Sequence, residues 1–521
     1  MTSPPGAKPT TEFRDGSGRG RVVAWTAAAV VLAAALAAVA LTDADPDLWG
    51  HVLFGRATLE HGLERTDPYS FTAEGHRWIN HEWASEVLMA ATWELTGDRG
   101  LLFGKIAVGV VTVMLLAGAA RLRGGAPVVA AVVLPVVAWA MSPGYLHRPQ
   151  VLSFLLFAVV LWILHADDAG VRRVVWVLPL VMAVWPNLHG GFLMGGVAVA
   201  IAVVVRTVEA VVRPARRRGL VGLWITAAAA AVATLCTPYG WQLHRFLLGS
   251  LSVPRPIGEW APLDLFDGSF PAVTLLTGAC AVMVVVRWRR ARGWEVVLIA
   301  VLLAATLRHQ RHAPFFAMAT APFLVTGLSE ILRGNLLARL DRPAAGVLRG
   351  LVTVVLLVAA VTWGATAAVR IASTGAHIGV DPVEFPVDAV RFIERAGLAG
   401  RLVLPFEWGE YAIWHLWPTC RVSVDGRFRT VYPEDVLERH YAAHADPSRW
   451  PSLAEDLDGD LLLAPRDTAV ERAMDVGWVV VFADRTALVA VRRDGDNDGA
   501  LARIAAGGVV RPGPVDRPTF P

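Results

Sequence analysis

Long apolar runs separated by short polar segments extend over the first two thirds of the chain. The first run, Val22 to Leu41, has the roughly 20 residues that a helix needs to cross a bilayer. Ten further apolar runs follow, and they start near Leu101, Pro127, Val151, Val174, Phe192, Leu220, Pro271, Trp294, Ala313 and Gly350. The pattern predicts an α-helical polytopic membrane protein with about eleven transmembrane helices.

Arginine marks alternate loops between these runs. The arginine-rich loops lie at 121–123, 172–173, 206–218, 287–292 and 333–349. Because cytoplasmic loops carry an excess of Arg and Lys, these loops and the N-terminal segment 1–21 are predicted to be cytoplasmic. The other loops then face outward, including a long first outer loop at 42–100. Nine of the ten histidines before residue 370 fall on this outer side, which concentrates polar chemistry on one face.

The polar and apolar pattern changes after the multi-span membrane domain, 22–370. Segment 371–494 is predicted to form an extracytoplasmic α/β domain, with strands at 401–406, 421–425, 460–464 and 478–482 and helices at 387–396 and 433–443. The tail 495–521 is rich in Gly, Pro and Arg, which predicts disorder.

The composition agrees with a membrane protein, since 55% of the 521 residues are hydrophobic and only 18% are charged. The net charge is only +3, and we expect membrane lipids but no nucleic acid among the partners. The three cysteines lack any CxxC spacing, so the sequence predicts neither a disulfide framework nor a zinc site.

An acidic cluster follows the first apolar run directly. Asp43, Asp45 and Asp47 lie within five residues, beside Trp49 and His51. Carboxylates this close raise one another's pKa and suit a general base, and Asp45 with Asp47 could ligate Mg²⁺ or Mn²⁺. The alternative is a solvated acidic turn that caps the next helix, because Asp is a preferred N-cap residue.

Other polar residues also fall in or beside outer loops. Glu82 starts a segment, His81 to Glu94, that is predicted to be a helix along the outer interface; it either points into a site or caps this helix. The remaining polar candidates near the outer ends of spans are Arg148, Gln150, Asn187, His189, Arg308, Arg311 and His312. Arginines there could bind a phosphate or could extend to lipid headgroups.

Short motifs connect these candidates to a known family. They are DPDLWGH at 45–51, TDPYSFT at 66–72, WINHEWASEV at 78–87, HRPQ at 147–150, WPNLHGGF at 185–192, TPYG at 237–240, EW at 259–260, RHQRHAPFF at 308–316, WGEYAIW at 408–414 and VDGRF at 424–428. With them the chain resembles bacterial polytopic membrane proteins grouped with the GT-C glycosyltransferases. Gly50 departs from the pattern, since resembling sequences often carry a second aromatic residue beside Trp49.

The resemblance implies a GT-C-like fold and transfer of a sugar from a polyprenyl-phosphate-linked donor to a glycan, lipid or protein acceptor. The reaction would take place on the outer face of the bacterial cytoplasmic (inner) membrane. Asp47, with Asp45 second, matches the acidic residue that serves such enzymes as base or metal ligand. His51 and Glu82 would assist. The substrate-binding candidates are Arg148, Gln150, Asn187, His189, Tyr239, Glu259, Arg308, Arg311 and His312.

Two other functions stay open on sequence alone. A transporter or flippase for a lipid-linked intermediate would place polar groups near the bilayer midplane, and a non-catalytic envelope scaffold would tolerate replacement of Asp45 and Asp47. In the outer domain, residues 407–414 and 425–427 could bind an acceptor glycan or serve the structure. We favour the structural role there, because Gly-Arg at the end of a strand is typical of a turn.

Overall fold

The computed structural model describes residues 18–521 except 214–218, 251–257, 343, 494, 514 and 516–517. The prediction for residues 1–17 and part of the arginine-rich loop 206–218 therefore lie outside the described residues.

Each of the eleven apolar runs contains a helix. The helices of the membrane part are α1 (Gly18–Val39), α2 (Leu48–His61), α3 (Trp83–Leu122), α4 (Pro127–Met141), α5 (Gln150–Asp168), α6 (Leu178–Val184), α7 (Phe192–Val212), α8 (Leu220–Ala233), α9 (Trp241–Ser250), α10 (Pro271–Arg287), α11 (Gly293–Arg308), α12 (Ala313–Leu332), α13 (Ala338–Asp341) and α14 (Gly346–Ser373). In the described chain, seven segments are long and apolar enough to cross a bilayer, namely those of α1, α3, α4, α5, α7, α12 and α14. The polytopic helical fold is confirmed, whereas the count of eleven spans stays a prediction because the other four helices are shorter.

The long helix α3 combines two predicted elements. Gly97 has a φ of 67° and a non-helical ψ, so it divides an amphipathic part from an apolar part that is long enough to span. The amphipathic part begins at Trp83, which confirms the helix predicted from His81 to Glu94. Glu82 occupies its N-cap position but makes no capping hydrogen bond there, so its side chain is available elsewhere.

The loops separate into two groups, as the arginine pattern predicts. On one side, Arg123 forms an ion pair with Glu295, and Arg206 Nη1 lies 2.7 Å from Asp167 Oδ2. The acidic segment 43–47 belongs to the other side. Contacts thus join loops of the same predicted side, which is the arrangement that an alternating membrane topology requires.

The C-terminal domain is a small α/β structure. Its elements are α15 (Val387–Ala396), β1 (Gly400–Val403), α16 (Phe406–Leu416), β2 (Cys420–Val422), α17 (Glu434–Ala445), α18 (Trp450–Asp456), β3 (Leu461–Pro465), α19 (Thr468–Ala473), β4 (Trp478–Ala483), β5 (Ala487–Arg492) and α20 (Asp498–Ala505). The sheet order is β2-β1-β3-β5-β4, with β1 parallel to β2 and β3, and β5 antiparallel to β3 and β4. Four strands and two helices match the predictions; β5, α16, α18, α19 and α20 were not predicted.

The prediction of a disordered tail at 495–521 is wrong for the described residues. This segment contains α20, and Phe520 near its end is only 2% exposed. The backbone N–H of Val380 donates to the carbonyl of Pro518 at 2.8 Å. Average composition indicated disorder, but one aromatic side chain that buries its ring is enough to anchor such a segment.

An aromatic cluster joins the C-terminal domain to the first outer loop. The ring of Trp49 lies 4.8 Å from that of Phe385, 4.9 Å from that of Tyr411 and 5.4 Å from that of Phe520. Beside it, Ala44 N–H donates to the carbonyl of Gly379 at 2.8 Å. The two parts share one hydrophobic core, so the domain is packed directly over the acidic segment.

Candidate active site

The acidic segment between α1 and α2 is buried at Asp45, partly buried at Asp47, whose side chain is 22% exposed, and exposed at Asp43. Asp45 is 1% exposed, and its Oδ1 accepts a hydrogen bond of 3.0 Å from Asp47 N–H, while Oδ2 has no hydrogen-bond partner among the described residues. Asp47 precedes α2 without capping it through its side chain. The alternative of a solvated capping turn does not describe Asp45, which is buried, whereas Asp43 is exposed and Asp47 occupies the N-cap position without a side-chain capping bond.

One guanidinium group connects three carboxylates here. Arg148, in the loop between α4 and α5, lies with Nε 2.5 Å from Asp45 Oδ1 and 3.4 Å from Asp47 Oδ2, and with Nη1 2.6 Å from Glu259 Oε1. The sequence predicts phosphate binding for Arg148, yet the structure engages it with these acids. Sequence spacing could not predict this, since Arg148 and its partners come from three separate loops.

Asp47 is electrostatically unusual in this arrangement. Burial raises the pKa of Asp47 to about 7, opposed by Arg148 and His51 and supported by Asp45 and Glu259. A carboxyl group with a pKa near the working pH is suited to accept a proton from a hydroxyl group.

A second carboxylate group lies beside Asp47. His51 on α2 has Nδ1 3.4 Å from Glu86 Oε1 on α3, and the ligand atoms of His51, Glu82 and Glu86 lie within 4.8 Å of one another. Glu86 also accepts a hydrogen bond of 2.5 Å from Asn80 Nδ2. Among the described residues this is the group with the spacing of a metal site. The site that the sequence places on Asp45 and Asp47 is instead engaged by Arg148.

Histidines surround Glu82. His81 Nε2 and His189 Nε2 each lie 3.6 Å from Glu82 Oε1. Burial would raise the pKa of Glu82, but His81, His189 and His51 outweigh it and hold this pKa below its usual range. Burial also lowers the pKa of His189 to about 3. Glu82 is thus held as a carboxylate, the form that binds cations.

Arg311 lies on the same face with no carboxylate within ion-pair distance among the described residues. Its guanidinium is 4.4 Å from the centre of the Trp260 ring, and it lies in electrostatic range of Glu259, Arg148 and Glu82. Its neighbour His312 is half-buried, whereas Arg308 is exposed at the end of α11. Of the predicted phosphate-binding arginines, Arg311 is the one that is both near the carboxylates and unpaired.

Three of the predicted substrate-binding residues instead position the loops. Asn187 Oδ1 accepts a hydrogen bond from Trp83 Nε1 at 3.1 Å. Gln150 Nε2 donates to the carbonyl of Gly144 at 2.9 Å, and Tyr239 Oη accepts from Asn80 N–H at 3.0 Å. These groups use their hydrogen-bonding atoms within the protein, so we regard them as positioning residues.

The C-terminal domain adds a carboxylate that the sequence reasoning did not place in the site. Glu410 on α16 is 2% exposed, and its Oε2 has no hydrogen-bond partner in the described chain. Burial raises the pKa of Glu410 well above its usual range, and Asp47 and Asp425 raise it further. A Cβ at Gly426 would lie 2.1 Å from Asp47 Oδ1 and 3.1 Å from Glu410 Oε1. Asp47 and Glu410 are therefore close neighbours.

Gly50 allows the Glu410 side chain to lie close to the backbone of α2. A Cβ at Gly50 would lie 2.1 Å from Glu410 Oε2 and 2.3 Å from its Cδ. The space where resembling sequences place an aromatic side chain is thus occupied by the Glu410 carboxylate. Only the absence of a side chain at residue 50 leaves that room.

The VDGRF motif holds the domain in place. Arg427 Nε and Nη2 lie 2.9 and 2.6 Å from the two carboxylate oxygens of Asp425, and its Nη1 is 2.8 Å from Asp67 Oδ1 of the first outer loop. Its guanidinium also lies 4.7 Å from the centre of the Trp78 ring. These contacts agree with the structural role that we favour for residues 425–427.

Comparison with known proteins finds similarity in structure only. No family model matches the chain, and no curated protein sequence does either. An oligosaccharyltransferase of Archaeoglobus fulgidus, solved with a tethered acceptor peptide, aligns with a TM-score of 0.54 and 13% identity over 85% of this chain and 69% of that one.

Two further solved structures align at similar quality. ArnT from Cupriavidus metallidurans bound to undecaprenyl phosphate has a TM-score of 0.51 and 12% identity over 91% of this chain and 98% of that one. The mycobacterial arabinofuranosyltransferase AftD has a TM-score of 0.52 and 16% identity over 92% of this chain and 40% of that one. The membrane helices and the C-terminal sheet domain therefore have the fold of the GT-C glycosyltransferases, as the sequence motifs indicate.

Proposed function

We propose that this protein is a membrane glycosyltransferase that transfers a sugar from a polyprenyl-phosphate-linked donor to an acceptor of the bacterial cell envelope. The single observation that carries the proposal is the partly buried Asp47, with a pKa raised to about 7 beside Asp45 and Arg148, on a GT-C fold. We further propose that this face is the outer side of the cytoplasmic membrane, with the N-terminus on the cytoplasmic side, because the arginine-rich loops lie opposite.

In the proposed reaction Asp47 is the general base. Its carboxylate accepts the proton of an acceptor hydroxyl while the hydroxyl oxygen bonds to the anomeric carbon of the sugar. The bond from that carbon to the phosphate oxygen breaks, and its electron pair leaves with the polyprenyl phosphate. Arg311 stabilises the charge that develops on this phosphate. Arg148 lies closer to Asp45 and Glu259 than to Asp47, and we therefore assign the base to Asp47.

We assign a divalent cation to His51, Glu82 and Glu86 rather than to Asp45 and Asp47. An imidazole with two carboxylates suits Mn²⁺ better than Mg²⁺, which prefers oxygen ligands alone. When bound there, the ion would supply Lewis-acid stabilisation of the leaving phosphate.

A cavity lined by Pro46, the residue before Asp47, has room for part of an acceptor. It has a volume of about 430 Å³ and lies between Pro46 of the acidic segment and Glu384, Glu407 and Trp408 of the C-terminal domain. Carboxylates beside an aromatic ring can hydrogen-bond and pack against a sugar. We assign acceptor binding to this cavity.

The test compares wild type with Asp47→Asn, both purified in lipid, for release of polyprenyl phosphate from a panel of lipid-linked sugars. Release by the wild type that the mutant loses, with unchanged donor binding, is the expected result. No release from any donor by the folded wild type would contradict the enzyme assignment and favour a scaffold or a transporter. The carboxylates at one face of the bundle argue against transport, which requires polar groups near the midplane.

A further inference from the structure

A second polar cavity lies on the opposite, arginine-rich side of the helical bundle. Its volume is about 430 Å³, and it is enclosed by the end of α5, by α7, and by the first residues of α8 and α11. It shares no residue with the acidic centre around Asp47, so the proposed glycosyl transfer does not account for it.

Two of the three acidic residues in this cavity, Asp167 and Asp168, are neutralised by ion pairs. Arg206 Nη1 lies 2.7 Å from Asp167 Oδ2, and its Nη2 lies 2.9 Å from Asp168 Oδ1. Asp168 also forms an ion pair with Arg292 and accepts a hydrogen bond of 3.0 Å from Trp294 Nε1. These contacts hold Asp167 and Asp168 in the wall with their charge compensated. The third acidic residue of the lining, Glu209, accepts a hydrogen bond of 3.3 Å from Gly293 N–H.

Cationic groups remain unsatisfied in the same cavity. Arg172 and Arg290 line it, are exposed, and form no ion pair among the described residues. Arg206 Nε is buried and has no hydrogen-bond partner in the described chain. A Cβ at Gly219 would lie 2.9 Å from Arg172 Nη1, so Arg172 packs against the start of α8. The N-terminal end of α8 adds positive potential through the helix dipole.

The surroundings of the cavity are apolar. Leu220 and Leu223 of α8 form part of its lining, and Val221 and Trp224 on the same helix are 72% and 48% exposed. In a membrane such side chains contact acyl chains, and tryptophan favours the level of the headgroups. The cationic groups therefore lie where an apolar surface meets the arginine-rich loops.

We propose that this cavity is a phosphate site, separate from the Asp47 centre, that binds the headgroup phosphate of an anionic membrane lipid. The phosphate contacts Arg172, Arg290 and Arg206 Nε, and the acyl chains lie along α8. A lipid of the cytoplasmic leaflet suits this side, because anionic lipids attract clustered arginines there. A soluble phosphate has the same charge but gains nothing from the apolar surface.

The test measures lipid binding to the full-length protein in detergent, with short-chain phosphatidylglycerol as the probe and phosphatidylcholine and inorganic phosphate as comparison ligands. Arg172→Gln/Arg290→Gln removes the two unpaired cations. Arg173→Gln/Arg289→Gln is the matched control, since it changes the same charge in the same two loops at exposed residues that do not line the cavity. If the double variant does not fold, the single variant Arg290→Gln is measured in its place.

We expect the cavity variant to bind phosphatidylglycerol at least about tenfold more weakly than the wild type, and the control variant to change binding by less than about threefold. Phosphatidylcholine should bind weakly to all proteins. Equal losses in both double variants would overturn the site in favour of general surface charge. Inorganic phosphate that binds as tightly as the lipid would overturn the lipid assignment.

Discussion

Replacing Asp47 by asparagine should abolish catalysis and at the same time stabilise the fold. Removal of a general base typically costs about 10²- to 10⁴-fold in rate. The wild-type carboxyl has a pKa raised from 3.8 to about 7. At about 1.4 kcal/mol per pKa unit, ionised Asp47 costs the folded state at most about 4 kcal/mol at pH 8, and asparagine removes that cost.

The pH dependence of stability and turnover follows from the raised pKa of Asp47. The raised pKa means that the folded protein holds this proton more tightly than the unfolded chain does. The stabilising effect of protonation is therefore complete below about pH 4 and is lost as pH rises towards 7. Catalysis runs the other way, because only the carboxylate accepts a proton. Wild-type turnover should rise about tenfold from pH 5 to pH 6 and level off above about pH 7.

The assay combines polyprenyl phosphate release at saturating donor with thermal unfolding, each from pH 5 to pH 8.5. The expected result for Asp47→Asn is loss of release, unchanged donor affinity and a higher melting temperature at pH 8 than the wild type. Full activity in the mutant would refute the assignment of the base. A mutant with lost activity and a lower melting temperature would refute the electrostatic reasoning, because the loss would then come from misfolding.

Three further predictions concern neighbouring groups. Arg311→Gln should lower the turnover rate by about 10²- to 10³-fold. The control is Arg308→Gln, which should leave the rate unchanged because Arg308 is exposed in the structure. Equal effects of the two variants on the rate would contradict the role of Arg311. Chelation of divalent cations should remove the activity, and added Mn²⁺ should restore it. Glu82→Gln should weaken activation by Mn²⁺ at least about tenfold. The measurement is the turnover rate as a function of Mn²⁺ concentration for both proteins. Asp425→Asn leaves the buried Arg427 with one carboxylate instead of two, so unfolding should cost about 1–3 kcal/mol less, measured as a lower melting temperature.

Local patterns of the sequence predicted most of the fold. Apolar runs determine where helices form, because a bilayer requires every backbone group to be satisfied within the helix. The short apolar stretches of β1 to β4 are equally local signals. The burial of Phe520 could not be read this way, since a single aromatic residue in a polar tail has no periodicity.

The candidate site was predicted only in part. Asp45, Asp47, His51 and Glu82 are brought together as expected. Glu86 was missed, although its spacing of four residues from Glu82 places both on one face of α3 and could have indicated it.

The role of Arg148 and the presence of Glu410 depend on contacts between distant parts of the chain. Arg148 pairs with acids from two other loops, and Glu410 reaches the site only because the C-terminal domain folds over Gly50. Contacts between such distant residues cannot be predicted from residue spacing in a single sequence.

The contact between Trp49 and Phe520 joins residues that are synthesised at very different times. Asp47 leaves the ribosome about 470 residues before the aromatic ring that closes the cluster beside it, which at 5–20 residues per second is roughly 20 to 90 seconds. During that time Glu410 and the cover that the C-terminal domain forms over the acidic segment are also missing. A nascent chain therefore already carries the Asp47 carboxylate but lacks the enclosure that the C-terminal domain forms around it.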